Sequence, residues 1–394
     1  MAVGHISYYI LFSFFSQNNF YFHYMNLFSS APVSYLGVDI GSSSIKMVEL
    51  KKHQDKVVLI NYGYSDMLAN TYPDANKLDI KAVSATIEKV FKKTDMVARD
   101  VVASLPTFTV FSSIINLSGK LTQKDLDSSI TWEAKKIIPL PLNDIVLDWQ
   151  RIDDIKEDKD PDLAKAEEPK QEEEKQEPKQ ELKQENHKIL LIGAPKSLIK
   201  SYAYTFKSIK FNLVNLETEV FGLIRSLLGN DKSTVMVAQI GANSTNIFII
   251  DKGVPVLSRS IDVGGLSITK AISKGLNISL EKAEQYKYDL VSQDGELPKI
   301  ITDVISPVFN EAKYILESFS SKEDLNVSKI ILTGGSSMLS GLSDYFANIL
   351  NKNVIIGDPW FRVAYPMELK PVLEQIGPRM AVAIGLAMRE FDKD

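Results

Sequence analysis

The sequence contains no cysteine among its 394 residues and only four histidines. Disulfides, thiolate catalysis and cysteine-bound zinc are therefore excluded. The scattered histidines have no His-x-x-Glu-His spacing, so a catalytic metal cage is not expected. An excess of positive charge is also missing, the formal net charge being −5. The stretch Lys156–His187 holds 7 Lys against 12 Asp/Glu, which leaves 38 basic and 38 acidic residues in the rest of the chain. Without a basic stripe, neither nucleic acid nor an anionic membrane surface is an expected partner. No apolar run is long enough to cross a bilayer. Ile6–Phe15 is ten residues, short of the roughly 20 a spanning helix needs, and it lacks the basic n-region and small-residue cleavage site of a signal peptide. Residues 1–24 are read as an extension ahead of the fold, with Met25 as the natural start.

What is present is an ordinary globular composition, 44% apolar, over a length that suits two or three compact units. The most informative stretch is Asp39-Ile40-Gly41-Ser42-Ser43-Ser44-Ile45-Lys46. Tyr35–Val38 leads in and Met47–Leu50 leads out, which predicts a hairpin with a turn of small residues. Such a turn leaves its backbone N–H groups bare and lets a phosphate chain approach closely. An Asp at the end of the first strand can hold a hydrated Mg²⁺, and a Lys beyond the turn can reach phosphate oxygens. The spacing is not that of a Walker loop, and by itself the segment also fits a plain surface hairpin.

The pattern returns. Val235–Ile240 turns through Gly241-Ala242-Asn243-Ser244-Thr245 into Asn246–Ile250, and Asp251-Lys252-Gly253 leads into a third strand. A strand–turn–strand unit near residue 40 and again near 242 predicts two similar α/β halves. Between them, Val101–Leu105 and Val110–Ile115 read as strands, a helix starts near Thr122 and stops at Pro139-Leu140-Pro141, and a second helix covers 195–210. This order describes a small α+β unit of its own. Lys156–His187 has no aromatic residue and repeats Glu-Pro-Lys-Gln-Glu at 168–172 and 177–181. It is expected to be a disordered hairpin loop, since it cannot bury enough apolar surface to offset ordering. Helices are expected from Gly264 to about Phe319. Lys329–Leu332 then forms a buried strand ending at Thr333-Gly334-Gly335-Ser336, with a helix beginning near Gly341.

Taken in order, Asp39 to Lys46, Ile240-Gly241-Ala242-Asn243-Ser244-Thr245 and the strand ending at Thr333-Gly334-Gly335-Ser336 resemble the two phosphate loops and the adenosine loop of the actin-like ATPase superfamily. Within it the chain is similar to the PilM family of type IV pilus assembly proteins, with the cell-division FtsA family as a relative. Trp132-Glu133-Ala134, Ile138-Pro139-Leu140-Pro141, Gly193-Ala194-Pro195-Lys196, Leu216-Glu217-Thr218-Glu219 and Ala381–Ala387 carry the same likeness. The resemblance implies an α/β, two-lobed actin-like fold. Subdomain 1A would cover 34–98 and 211–231, and 1C would cover 99–210 with the loop 156–187. Subdomain 2A would cover 232–270 and 328–394, and 2B would cover 271–327.

The resemblance further implies ATP and Mg²⁺ as cofactors. Asp39 would face the metal through water, Gly41, Ser42, Ser43 and Ser44 would hold phosphates, and Lys46 would reach the β/γ-phosphates. Gly241, Ala242, Asn243, Ser244 and Thr245 would form the opposing loop. Gly334, Gly335 and Ser336 would pack on adenosine. Glu284 and Lys287 would contact ribose, the alternative for that pair being an exposed helix face. Glu219 matches the position near the catalytic water. The second loop opens with Gln239 where the superfamily has Asp, so a carboxylate for Mg²⁺ is missing and hydrolysis is expected to be weak or absent.

The family's partner is the cytoplasmic N-terminal segment of PilN, an inner-membrane protein, bound by the 1A/1C region. The resemblance thus implies a place in the cytoplasm, peripheral to the inner membrane through that and other pilus assembly partners. Two alternatives share the fold. An FtsA-like polymerising protein would carry a basic amphipathic membrane helix, whereas Met388–Asp394 is acidic and short. A small-molecule kinase would need a substrate base, and none is evident.

Overall fold

A computed structural model describes residues 34–66, 72, 77–118, 122–152, 186–289, 297–323 and 326–391. The extension over residues 1–24 and nearly all of the acidic loop lie outside the described residues. Two units divide the chain, one formed by residues up to 110 together with 194 onward, the other by 111–193.

The larger unit opens with the expected hairpin, β1 (Ser34–Ile40) and β2 (Ser44–His53), followed by β3 (Lys56–Asp66), α1 (Ile80–Lys93) and β4 (Asp100–Leu105). The chain then enters the insert: β5 (Phe111–Ser118), α2 (Gln123–Ile137), β6 (Ile145–Arg151) and β7 (Asn186–Pro195). It returns through α3 (Lys196–Ser208), β8 (Asn212–Thr218) and α4 (Glu219–Leu223), which runs on as a π-helical turn over Ile224–Leu228. The remaining elements are β9 (Val235–Ile240), β10 (Thr245–Asp251), β11 (Val254–Ile261), α5 (Gly265–Leu276), α6 (Leu280–Asp289), α7 (Lys299–Glu323), β12 (Lys329–Thr333), α8 (Leu342–Leu350), β13 (Val354–Ile356), β14 (Val363–Ala364) and α9 (Lys370–Met388).

The predicted repeat is realised in the sheets. One has the strand order β14-β3-β2-β1-β4-β8 and the other β11-β10-β9-β12-β13. In each, three antiparallel strands linked by short turns are extended by two parallel ones: β1 pairs with β4 and β4 with β8, as β9 pairs with β12 and β12 with β13.

Period-two alternation decides which face each residue supplies. Leu36, Val38, Ile40, Ile45 and Met47 join a core with Val83, Ile87, Leu198 and Phe206 from α1 and α3. Val48 and Leu50 face the opposite way, into a core with Met380, Ala383, Ile384 and Ala387 of α9. In the second sheet, Met236, Ala238, Ile247 and Ile249 pack with α5, α7 and α8. Val235, Val237, Phe248 and Ile250 pack with Ala381, Val382 and Leu386. Helix α9 therefore closes cores on both sheets. Its approach requires glycine: a Cβ on Gly37 would lie 2.0 Å from the Ala383 carbonyl oxygen, and one on Gly385 would lie 1.8 Å from that of Gly222.

The insert has a three-stranded sheet, β5-β7-β6, covered by α2. Helix α2 starts in a capping box, Thr122 and Asp125 each accepting from the other's backbone N–H, and it stops at Ile138, the residue before Pro139. The unit is smaller than the expected 99–210. Strand β4 is a central member of the six-stranded sheet, and α3 packs into the core with α1, so the two strands flanking Pro106 belong to different sheets. The ordered hairpin arm also reaches further than expected, β7 starting at Asn186 rather than Lys188.

Candidate functional site

Both hairpin turns open on one cleft of about 830 Å³ in the larger unit. The turns are built alike. Gly41 N–H donates to the Ser44 carbonyl at 2.9 Å, and Gly241 N–H donates to the Ser244 carbonyl at 3.0 Å. A side chain at either glycine would intrude: a Cβ on Gly41 would sit 2.9 Å from Lys46 Nζ, and one on Gly241 would sit 2.9 Å from Ser244 O. The second turn is also welded to a helix start, since Gly265 and Leu266 donate their N–H groups to the carbonyls of Gly241 and Ala242. That brings the positive end of α5 beside the turn.

At the end of β1, Asp39 is 3% exposed and accepts from Lys46 Nζ at 2.9 Å. Its second oxygen, Oδ1, has no partner. An unpaired buried carboxylate oxygen is costly unless something else binds it, and a hydrated cation is such a partner. Glu219, the first residue of α4, is buried nearby and accepts from the Thr107 backbone N–H at 3.3 Å and from Thr107 Oγ1 at 2.8 Å. Asn246 Nδ2 also donates to it, at 3.1 Å. Burial, and after it the Asp39 carboxylate, pushes the Glu219 carboxyl up to about 7. Gln239 lines the cleft from β9 and accepts from the same Asn246 amide at 3.2 Å.

At the other end, Gly334 has φ +89°, a conformation that suits glycine. Its N–H is held by the Pro378 carbonyl at 2.9 Å. Nothing lies within 4 Å of where a Cβ would stand on Gly335, so this side of the backbone is open. Lys287 is 3% exposed and donates to Glu284 at 2.6 Å, so the pair is not simply an exposed helix face. Burial lowers the Lys287 pKa, and Glu284 opposes that shift. Tyr288 donates to the Gly335 carbonyl at 3.3 Å, and burial pushes its hydroxyl up to about 12.

Of the residues singled out in the sequence, Asp39, Gly41, Ser42, Ser43, Ser44, Lys46, Glu219, Gly241, Ala242, Ser244, Glu284, Lys287, Gly334, Gly335 and Ser336 line this cleft. Asn243 and Thr245 do not. Asn243 is exposed, and Thr245 is fully buried with its hydroxyl donating to the Val263 carbonyl. Sequence reasoning missed Asn246, Thr107, Tyr64, Asp66, Tyr288 and Arg379. For Asn246 a signal existed, an amide beside the apolar run Ile247–Ile250 of strand β10. Arg379 pairs with Asp66 and lies 4.2 Å over the Tyr64 ring, a grouping that no local pattern announces.

The family model for type IV pilus assembly protein PilM matches residues 37–166 and 175–391. The chain belongs to the PilM family. Its α/β architecture is an actin-like ATPase fold related to FtsA. Among solved structures, a PilM–PilN type IV pilus biogenesis complex superposes with a TM-score of 0.71 at 24% identity, over 91% of this chain and 99% of the other. The ethanolamine utilization protein EutJ of Carboxydothermus hydrogenoformans superposes with a TM-score of 0.50 at 16% identity, over 91% and 90%. By sequence, the cell division protein FtsA of Staphylococcus epidermidis is 21% identical over 367 residues, 82% of this chain and 74% of the relative. FtsA of Agrobacterium fabrum is 25% identical over 174 residues, 37% of this chain, and there the chain spans only 38% of the relative's length. Among the described residues, no helix is long and apolar enough to cross a membrane.

Proposed function

We propose that this member of the PilM family is an ATP-binding scaffold of type IV pilus assembly. On this reading the insert is subdomain 1C of the four-part actin-like plan, and the cleft holds ATP with Mg²⁺. The observation that carries it is the convergence of two equivalent glycine-serine turns on one cleft, with the Asp39–Lys46 pair at its floor. The turns supply N–H groups for phosphate oxygens, and the amino end of α5 favours negative charge beside the second. Lys46 would exchange part of its bond to Asp39 for phosphate, leaving the Asp39 carboxylate to face the hydrated cation. Gly334 and Gly335 would take the adenosine on their open face, and Glu284 with Lys287 would bind the ribose. The cation, when bound, screens the phosphate charge.

Glu219 would position the attacking water, its carboxyl held by Thr107 and Asn246. With the neutral Gln239 where a second carboxylate would stand, turnover is slow and the bound nucleotide acts mainly as a structural ligand. The protein partner is the cytoplasmic N-terminal segment of a PilN-type inner-membrane protein. The pairing of PilM with PilN in the solved complex supports this choice, and such a partner would hold the chain at the inner face of the cytoplasmic membrane.

Calorimetric titration of MgATP tests the cleft. Lys46→Ala is expected to weaken binding by roughly tenfold or more, a charge-assisted hydrogen bond being worth about 1.5–3 kcal/mol. Unchanged affinity in a natively folded variant overturns the assignment. Fluorescence anisotropy with a PilN-type N-terminal peptide tests the partner, and absence of binding at high micromolar protein rejects it.

A further inference from the structure

Five buried side-chain atoms among the described residues lack a hydrogen-bond partner, and two of them, Asp39 Oδ1 and Asn246 Oδ1, belong to residues lining the cleft. Unpaired buried polar atoms are uncommon in folded proteins, and each calls for a physical reason. Asp39 sits at the floor of the first turn. Asn246 lies on β10 as the second residue beyond the opposite turn, and both residues act on Glu219: the Asn246 amide donates to it and the Asp39 carboxylate helps keep it protonated.

We infer that Asn246 Oδ1 is a water-mediated ligand of the divalent cation that accompanies the nucleotide, acting with Asp39 Oδ1 in place of the carboxylate that Gln239 does not supply. This inference rests on the nucleotide reading of the cleft. The orientation of the Asn246 amide supports it. Its nitrogen donates to two acceptors, Glu219 Oε2 at 3.1 Å and Gln239 Oε1 at 3.2 Å. Turning the amide over would set its oxygen against the Glu219 carboxylate, so an ionised Glu219 keeps Oδ1 on the other side. Gln239 accepts from the same amide nitrogen and adds to that hold.

The chemistry suits magnesium, a hard ion that keeps several of its waters and is held through them by a few oxygens. Among the described residues no cluster of three His, Cys, Asp or Glu side chains is placed to hold a metal. With fewer than three such groups at any one point, a cation here must draw on neutral oxygens as well. Asn246, nine-tenths buried and with its oxygen unpaired, supplies one such neutral oxygen in the cleft.

The test is titration of ATP into the full chain by calorimetry, once with Mg²⁺ and once with EDTA, the ratio of the two dissociation constants giving the metal gain. Asn246→Ala should reduce that gain by roughly tenfold. A gain equal to that of the unaltered protein, in a variant with a native circular dichroism spectrum, overturns the inference. If the alanine variant does not fold, Asn246→Ser is read instead. Its shorter side chain withdraws the amide oxygen, so the gain should fall, and an unchanged gain overturns the proposal. ATP binding by the unaltered protein without any metal gain refutes the inference alone. No ATP binding in either buffer refutes the nucleotide reading and the inference with it.

Discussion

Replacing Glu219 by Gln should change how stability depends on pH, by an amount the surroundings of that carboxyl set. Burial and the nearby Asp39 carboxylate raise it from 4.5 to about 7. A carboxyl that holds its proton more tightly when folded favours folding while it is protonated. That contribution is complete below pH 4.5 and is lost as pH rises to about 7. At about 1.4 kcal/mol per pH unit across that interval, the loss totals about 3 kcal/mol. The glutamine introduced by Glu219→Gln would have nothing to ionise, and its oxygen can still accept from Thr107. The variant should therefore gain stability over the unaltered protein steadily across this interval and hold a constant advantage of up to about 3 kcal/mol above it. The assay is paired urea denaturation at half-unit steps from pH 4.5 to 8, taking the difference so that every other titrating group cancels. A flat difference would show that Glu219 titrates alike in the folded and unfolded chain and that its burial does not raise it.

Three further outcomes follow from the structure and composition. Gly385→Ala should destabilise the fold by about 3 kcal/mol or more, because the added Cβ would lie 1.8 Å from the Gly222 carbonyl oxygen; a near-normal melting temperature would contradict the close helix crossing. Gln239→Asp should raise Mg²⁺-dependent phosphate release, and brisk release by the unaltered protein would show that its neutral amide does not limit hydrolysis. Excising residues 157–184 should leave the melting temperature and ATP affinity within experimental scatter, since shortening a long loop changes closure entropy by only about 0.6 kcal/mol per halving; a fall of more than a few degrees would show that the segment contributes to the fold.

The parts of the site legible in the sequence are those built by short-range rules. Asp39, Gly41 and Lys46 lie within one hairpin, whose turn residues and strand alternation fix their relative positions, and the second hairpin repeats that arrangement. The parts not legible are those assembled from distant segments. Asp66 and Arg379 are 313 residues apart, and Thr107 meets Glu219 across 112 residues. Both pairings depend on which sheet each strand joins. The insert shows the same limit. Val101–Leu105 and the strand beginning near Val110 read as one unit because only Pro106, Thr107, Phe108 and Thr109 separate them. Yet β4 is drawn into the larger sheet by its pairing with β1 and β8, and a sequence pattern of apolar alternation cannot tell which partner a strand will find.

Helix α9 has a consequence for how the protein is made. Its two faces complete the cores of both sheets, supplying Met380, Ala383, Ile384 and Ala387 to one and Ala381, Val382 and Leu386 to the other. During translation the first sheet emerges early, with Val48, Leu50 and Tyr62 on a face whose covering helix has not yet been synthesised. At about 5–20 residues per second, that face waits roughly 15–70 s for its cover. The nascent chain thus presents a sticky apolar surface for most of its time on the ribosome, and only the arrival of α9 covers both sheets at once. Release of a chain cut short before α9 should leave a species captured by chaperones and proteases, whereas the complete chain escapes them.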